Sequence, residues 1–342
     1  MLRGAGDNGR RATLADVAAR AKVSLSTVSN VLNHPEIVGE EKRTAVRKAM
    51  KELHYIPNLL ARGLKTGKAQ VIGIVFYDLA NPFFANMAQQ VSREAKEHGY
   101  TTIVMSTDQI FPLEKAHIEE LVQHGIEGLI LTSAGMKYDH LLVLAALGIP
   151  TVLVAQQSQE FRVGSISVDD KRAMSKITQH ILAQQAKKLL FIDGPGTIPQ
   201  HIERYAGVRH AVECFAPDGQ IQLERTIADA PDAKGGYSAV KRKLKKDEVF
   251  DAYICINDFT AFGAITCLRE YDFDIPQDVI VTGFDDSVVA DLINLTTVAQ
   301  PIEKMSRWAV KTIVSSIQQG SSEMMLHELI EPELKIRASS SR

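Results

Sequence analysis

Residues 12–33, ATLADVAARAKVSLSTVSNVLN, hold the chain's densest group of residue types whose spacing could do chemistry. Thr13 and Asp16 stand three apart. That is the spacing of a capping box, in which the threonine hydroxyl takes a backbone amide and the aspartate sits near the positive helix end. Leu14, Val17, Ala18 and Ala21 follow at helical spacing. Lys22, Val23 and Ser24 break the pattern, and Ser24 can cap a second helix running from Leu25 to Leu32. Two short capped helices joined by a tight turn fit a helix-turn-helix, whose second helix enters the major groove of DNA. Leu25, Ser26, Ser29 and Asn30 are expected to face outward, and Val28, Val31 and Leu32 inward. The hydroxyls of Ser24, Thr27 and Ser29 suit phosphate oxygens, as do amides at a helix start. Asn30 can pair bidentately with adenine N6 and N7. Thr13, Asn33 and Tyr55 complete the DNA-contact candidates in this part of the chain.

Charge supports that chemistry. Residues 1–68 carry 13 Lys and Arg against 6 Asp and Glu, whereas the remainder carries 26 against 35. A basic head on an acidic body implies that the head meets a polyanion. Residues 1–11 read as a disordered basic arm, and residues 12–56 as the helix-turn-helix domain with a third helix over about 40–54. Pro57 opens a short fourth helical segment at 58–64, followed by the linker Thr66-Gly67-Lys68.

From residue 69 the grammar changes. Strand-like runs at 71–76, 101–106, 128–132, 151–155, 189–193, 252–256 and 279–283 are separated mostly by helical patterns. Asn81 caps a helix opening on Pro82 and ending at Gly99. Such alternation implies parallel sheets covered by helices, and the number of units favours two similar α/β lobes over one sheet. Ligands would then bind at the carboxyl ends of the strands. Cys214, Cys255 and Cys267 fit neither a disulfide framework nor a metal site and are expected to be reduced core residues. No signal peptide or membrane span is evident, so a soluble cytoplasmic protein is expected.

Several motifs, in order over nearly the whole chain, resemble the lactose-repressor (LacI/GalR) family of transcription regulators. They are residues 12–33, 55–67 (YIPNLLARGLKTG), Asn81-Pro82-Phe83-Phe84, Asn257-Asp258, 281–286 (VTGFDD), 295–301 and 331–337. The resemblance implies an all-α helix-turn-helix domain, a hinge helix at 57–68, and a two-lobed core like the periplasmic binding proteins. Lobe 1 would take residues 69–168 and 301–329, and lobe 2 residues 169–300 and 330–342. In such regulators paired hinge helices enter the minor groove and wedge a leucine between base steps. By motif that leucine is Leu64, with Asn58, Ala61 and Arg62 beside it. Gly63 makes the hinge harder to order, since a helix-interior glycine costs about 1 kcal/mol.

The resemblance also implies an effector site between the lobes, with Phe83, Phe84, Arg204, Asn257, Asp285 and Gln300 as its residues. Their chemistry suits a small polyhydroxylated ligand. Three departures stand out. Ala155-Gln156 replaces the Asp-Arg common after the fourth strand, although Gln156 can still reach a hydroxyl. Asn30 stands where arginine is common, and Lys22 where glycine is. A lysine there is mildly strained if the turn needs positive φ.

The expected partners are a pseudo-palindromic DNA operator, a small-molecule effector and a second copy of the chain. No cofactor, metal or membrane is expected. The chain stops without a heptad segment, which favours a dimer over a tetramer. Enzyme readings are weak. His117-Ile-Glu-Glu is not a zinc motif, and Gly194-Pro195-Gly196 lacks the lysine of a phosphate loop. Two other classes remain open. A transport or chemoreception binding protein would need a signal peptide and no helix-turn-helix. A DNA-binding protein without a ligand would use its lobes only to dimerise.

Overall fold

The computed structural model describes residues 12–56, 69–108, 110–133, 139–158, 162–196, 198–215, 219–321 and 326–342. The basic arm and the hinge candidates Asn58, Ala61, Arg62 and Leu64 lie outside the described residues. The chain forms two compact units, Met1–Ala69 and Gln70–Arg342.

Among its described residues the first unit has three α-helices: α1 (Leu14–Ala21), α2 (Leu25–Asn33) and α3 (Glu40–Glu52). The Thr13–Asp16 capping box forms, with each side chain bonded to the other's backbone amide. α1 ends at Lys22 in the left-handed region, φ 54° and ψ 43°. The Lys22 amide bonds the Ala19 carbonyl at 3.3 Å and the Val23 amide the Ala18 carbonyl at 3.0 Å, which is the Schellman pattern. The sharp turn lays α2 across α1. Val17, Ala18, Val28, Val31, Val46 and Ala49 form the small core, with Leu14, Leu32, Met50, Leu53 and Tyr55 packed at its edge.

The second unit holds two parallel sheets. The first contains β1 (Val71–Phe76), β2 (Thr101–Ser106), β3 (Gly128–Leu131), β4 (Thr151–Val154), β5 (Gly164–Val168) and β11 (His327–Ile330), in the order β11-β5-β4-β3-β1-β2. The second contains β6 (Lys188–Asp193), β7 (Gln222–Ile227), β8 (Ala252–Cys255) and β9 (Ile280–Thr282), in the order β7-β6-β8-β9. β10 (Thr297–Ala299) and β12 (Glu333–Lys335) pair antiparallel as a separate ribbon. The chain therefore passes between the sheets after β5, around β10 and after β11.

Helices α4 (Pro82–Glu97), α5 (Phe111–Gln123), α6 (Asp139–Ala146) and α12 (Ile302–Gln319) belong with the first sheet in sequence and packing. Helices α7 (Asp170–Ala183), α8 (Pro199–Phe215), α9 (Ala233–Leu244), α10 (Asp258–Glu270) and the short α11 (Val288–Leu292) belong with the second. Buried strands such as β3 and β4 are almost wholly apolar, as is usual for strands covered on both faces. The edge strands β2 and β7 stay partly exposed along their length. In both sheets the first strand of the lobe, β1 or β6, has its successor on one side and the next strand on the other. That reversal opens a crevice at the carboxyl ends of the strands.

Five strands escape the sequence pattern. β5 is GSISV, rich in small polar residues yet buried along its length, and β7 is the half-polar QLERTI. β10, β11 and β12 have only three or four residues each. Cys255 and Cys267 are buried as expected, but Cys214 is exposed near the end of α8, correcting its placement in the core.

Candidate functional site

The first unit presents its polar residues around the start of α2. Ser24 caps the helix, its hydroxyl accepting the Thr27 amide at 3.1 Å and lying 2.8 Å from the Thr27 hydroxyl. Leu25 and Ser26 are exposed, and Thr27, Ser29 and Asn30 half-buried. Val28 and Val31 turn inward, as their spacing predicts. The Asn33 amide nitrogen donates back to the Ser29 carbonyl at 2.9 Å, which leaves its oxygen as its outward group. Thr13 is held in the capping box of α1, and Tyr55 packs against the small core.

In the second unit a narrow cleft is lined from both lobes. β1 leads to Tyr77, Asn81 and Phe84, β4 to Ala155, β8 to Ile256 and Asn257, β9 to Asp285 and β10 to Gln300. The first two turns of α8 supply Gln200, His201 and Arg204. The fold brings together Phe84, Arg204, Asn257, Asp285 and Gln300 from the candidate set. Phe83 is a correction. It is 1% exposed and absent from the cleft wall, its ring set edge-on to Phe84 with centroids 4.9 Å apart. On this helix Phe84 lines the cleft and Phe83 packs behind it. Gln156 is fully buried, its side-chain oxygen accepting the Ser133 amide at 2.9 Å, and it lines a neighbouring cavity instead.

Arg204 organises the cleft. Its Nε donates to Asp170 at 2.8 Å and its Nη1 to the Ile256 carbonyl at 2.7 Å, and Asp285 lies 4.0 Å from Nη2. The guanidinium lies over the Phe284 ring, 3.6 Å from its centroid. Gly207 makes this possible, because a Cβ there would collide with the Lys171 carbonyl and hold α7 and α8 apart. Burial pushes the Asp170 carboxyl above its usual range in spite of the guanidinium beside it. Asp285 is 4% exposed and held at φ 114°. Burial raises its pKa to about 7, against the charge of Arg204 and hydrogen bonds from Gln300 and Asn81 that oppose the rise. Gln300 Nε2 donates to it at 2.8 Å. Asn257 caps α10 and donates its amide to the Pro231 carbonyl at 3.0 Å.

Tyr77, Gln200, His201 and Asp170 were not read from the sequence. Gln200 and His201 lie four and three residues before Arg204 on one helix, so helical spacing carried a signal for them. His201 Nδ1 sits 3.0 Å from Asp193 Oδ1 without hydrogen-bond alignment, and Arg225 Nε holds the other oxygen at 2.9 Å. Among the described residues no cluster of His, Cys, Asp and Glu could hold a metal, and no helix is long and apolar enough to cross a membrane.

A sequence model described as periplasmic binding proteins and sugar binding domain of LacI family matches residues 69–332. Another, bacterial regulatory proteins of the lacI family, matches residues 13–58. The chain belongs to the LacI family of bacterial regulatory proteins.

Relatives of this LacI-family chain match it nearly end to end. The HTH-type transcriptional regulator RegA of Clostridium saccharobutylicum is 29% identical over 334 residues, covering 95% of this chain and 99% of that one. MalR of Streptomyces coelicolor is 31% identical over 347 residues, covering 96% of each. Among solved structures, a complex of the transcriptional regulator CelR with cellobiose superposes with a TM-score of 0.69 at 26% identity, covering 96% of this chain and 100% of that one. The Lac repressor dimer bound to operator shares the fold, with a TM-score of 0.80 at 24% identity and coverage of 97% and 100%. The LacI-family chain is thus a DNA-binding transcriptional regulator with an effector-binding domain, and its relatives are regulators rather than enzymes.

Proposed function

We propose that the protein is a homodimeric repressor whose operator affinity is set by a small polar effector held between the lobes of its core. The observation that carries this reading is the convergence of Arg204, Asp285, Asn257 and Gln300 on one cleft lined by Tyr77 and Phe84. Carboxylate, guanidinium and amide groups together supply the paired donors and acceptors that hydroxyl groups need, and the aromatic wall suits an apolar ring face. The class is therefore sugar, polyol or nucleoside. Relatives point the same way, with CelR solved with cellobiose and an Enterococcus faecium LacI-family regulator with ribose.

Two copies would place two helix-turn-helix units on a pseudo-palindromic site in the cytoplasm. Leu25, Ser26, Ser29, Asn30 and Asn33 would read the major groove, with Thr13, Ser24, Thr27 and Tyr55 along its border. Asn58, Ala61, Arg62 and Leu64 would act in the minor groove. The mechanism is linkage: an effector that prefers one arrangement of the lobes biases how the copies pair and so changes DNA affinity.

The test combines sedimentation, footprinting upstream of the protein's own coding sequence, and thermal shift against sugars, polyols and nucleosides. The expected result is a dimer that protects a two-fold site, with a ligand that both raises the melting temperature and alters protection. Asn30→Ala should weaken site binding about 5- to 150-fold, as a lost bidentate base contact does. A footprint unchanged by Asn30→Ala, or protection insensitive to every stabilising ligand, would refute the reading.

A further inference from the structure

We propose that α2 selects A·T base pairs, Asn30 taking an adenine and Leu25 the methyl group of a thymine. This rests on the reading of α2 as the groove-facing helix and names the bases that the helix selects.

The sequence of α2 is LSTVSNVLN, and it holds no Arg, Lys, Asp or Glu. In the major groove guanine shows two acceptors, O6 and N7, which arginine or lysine reads with paired donors. Cytosine shows the N4 donor, which aspartate or glutamate accepts. α2 brings neither kind of side chain to the groove. The nearest formal charges in sequence, Lys22 at the end of α1 and Glu36 in the turn after α2, lie outside the helix.

Most of its polar groups are already engaged within the unit. The Ser24 hydroxyl accepts the Thr27 amide at 3.1 Å and lies 2.7 Å from the Ser26 hydroxyl. Asn33 Nδ2 donates to the Ser29 carbonyl at 2.9 Å and reaches the Ser29 hydroxyl at 3.3 Å. The oxygen that Asn33 keeps can accept from adenine N6 or cytosine N4 and decides between neither. Asn30 differs. Among the described residues its side-chain amide bonds to no protein group, so its oxygen and its nitrogen are both on offer. Adenine presents the N7 acceptor beside the N6 donor, which an amide meets with both groups at once. Guanine presents two acceptors, and an amide meets that pattern only by half.

Leu25 is 52% exposed on the first turn of α2, with exposed Ser24 and Ser26 on either side of it. Residues at the N-terminal end of a groove-facing helix meet base edges. The C5-methyl of thymine is the apolar group among the major-groove edges, so a leucine pressed there sheds water against thymine alone. Adenine and thymine are partners, so Asn30 and Leu25 select the same kind of pair from its two sides.

The experiment is selection by the full chain from duplexes with a randomised segment, followed by titration of the selected site. The expected site is two-fold, with A·T pairs at the steps where Asn30→Ala and Leu25→Ala relax the preference. Uracil, which lacks the methyl, should weaken binding about fourfold at the thymine beneath Leu25, the worth of one buried methyl. Leu25→Ala should bind thymine and uracil there equally. A 5-methylcytosine at that step should bind tighter than cytosine by a similar factor, since it carries the same methyl. Leu25→Arg, at an exposed position, should turn the preference at that step to guanine. Selection of G·C pairs at both steps by the unaltered chain, or uracil tolerated at every thymine, overturns this inference and leaves α2 as the reading helix. Enrichment of no sequence overturns both this inference and the reading beneath it.

Discussion

The helix-turn-helix unit and the effector cleft keep their working groups in opposite surroundings. Leu25 of α2 is 52% exposed, and its polar neighbours face outward or half outward on one short helix. Arg204 is 7% and Asp285 4% exposed, and they meet across long stretches of sequence. Groups on the helix face stay at least partly solvated and bond only to neighbours on the same short helix. Groups in the cleft have lost their water and depend on each other, because a buried charge is tolerable only with a partner. Substitution should therefore cost binding alone in the first region, but binding and stability together in the second.

The largest effect is expected from Arg204→Met. It would leave Asp170 and Asp285 buried without their guanidinium, and breaking a buried pair in this way costs about 3–5 kcal/mol. Urea denaturation followed by the fluorescence of the single tryptophan, Trp308, checks this, because that residue packs on the large core. The α1–α3 unit should keep its own stability. A loss below about 1 kcal/mol, the range of exposed ion pairs, would mean that the cleft is as well solvated as the DNA-facing surface.

The same contrast governs what the sequence made legible. The turn between α1 and α2 is written in consecutive residues. Thr13, Asp16 and Ser24 mark the caps, and Val17, Val28 and Val31 mark the core by spacing alone. The parallel core was legible from buried runs such as VIGIVF at β1, whereas β5 and β7 were not, because their burial comes from neighbours rather than from their own polarity. The cleft has no local signature. Its residues follow the ends of strands scattered from β1 to β10, so only motif resemblance pointed to Asp285 and Arg204 together. Resemblance could not say which of Phe83 and Phe84 faces inward, since helix rotation decides that. It also missed Gln200, which lines the cleft one helical turn before Arg204.

A second break between the regions should appear in pH. Asp285 has a pKa raised from 3.8 to about 7, chiefly by burial. With the folded value above the unfolded one, the folded state holds a proton that the unfolded state releases. Stability from this group is therefore full below pH 3.8 and declines as pH rises to about 7. An effector whose hydroxyls donate to Asp285 needs the ionised form, so its affinity should run the other way. It should rise up to about tenfold from pH 6 to 8 and then level off. Titration calorimetry across that range checks it. The Asp285→Asn protein should show no such step, and a wild-type profile of the same flatness would remove Asp285 from ligand contact.

The smallest effect sharpens the comparison from the other side. Lys22 holds φ 54° at the end of α1, a conformation costing a residue with a Cβ about 1–2 kcal/mol. Glycine relieves that cost but brings extra freedom to the unfolded chain, worth about 0.5–1 kcal/mol. Lys22→Gly should therefore stabilise the α1–α3 unit by a net amount of about 0.5 kcal/mol. Slower amide exchange in α1 and α2 would report it, with the Trp308 transition of the core unmoved. Because Lys22 is exposed, its charge is free to serve a phosphate. If operator affinity falls while the unit gains stability, the lysine is kept for DNA at the expense of the turn. If affinity is unchanged, the strain at Lys22 has no compensating contact, and the exposed face of this unit is less completely given over to DNA than its chemistry suggests.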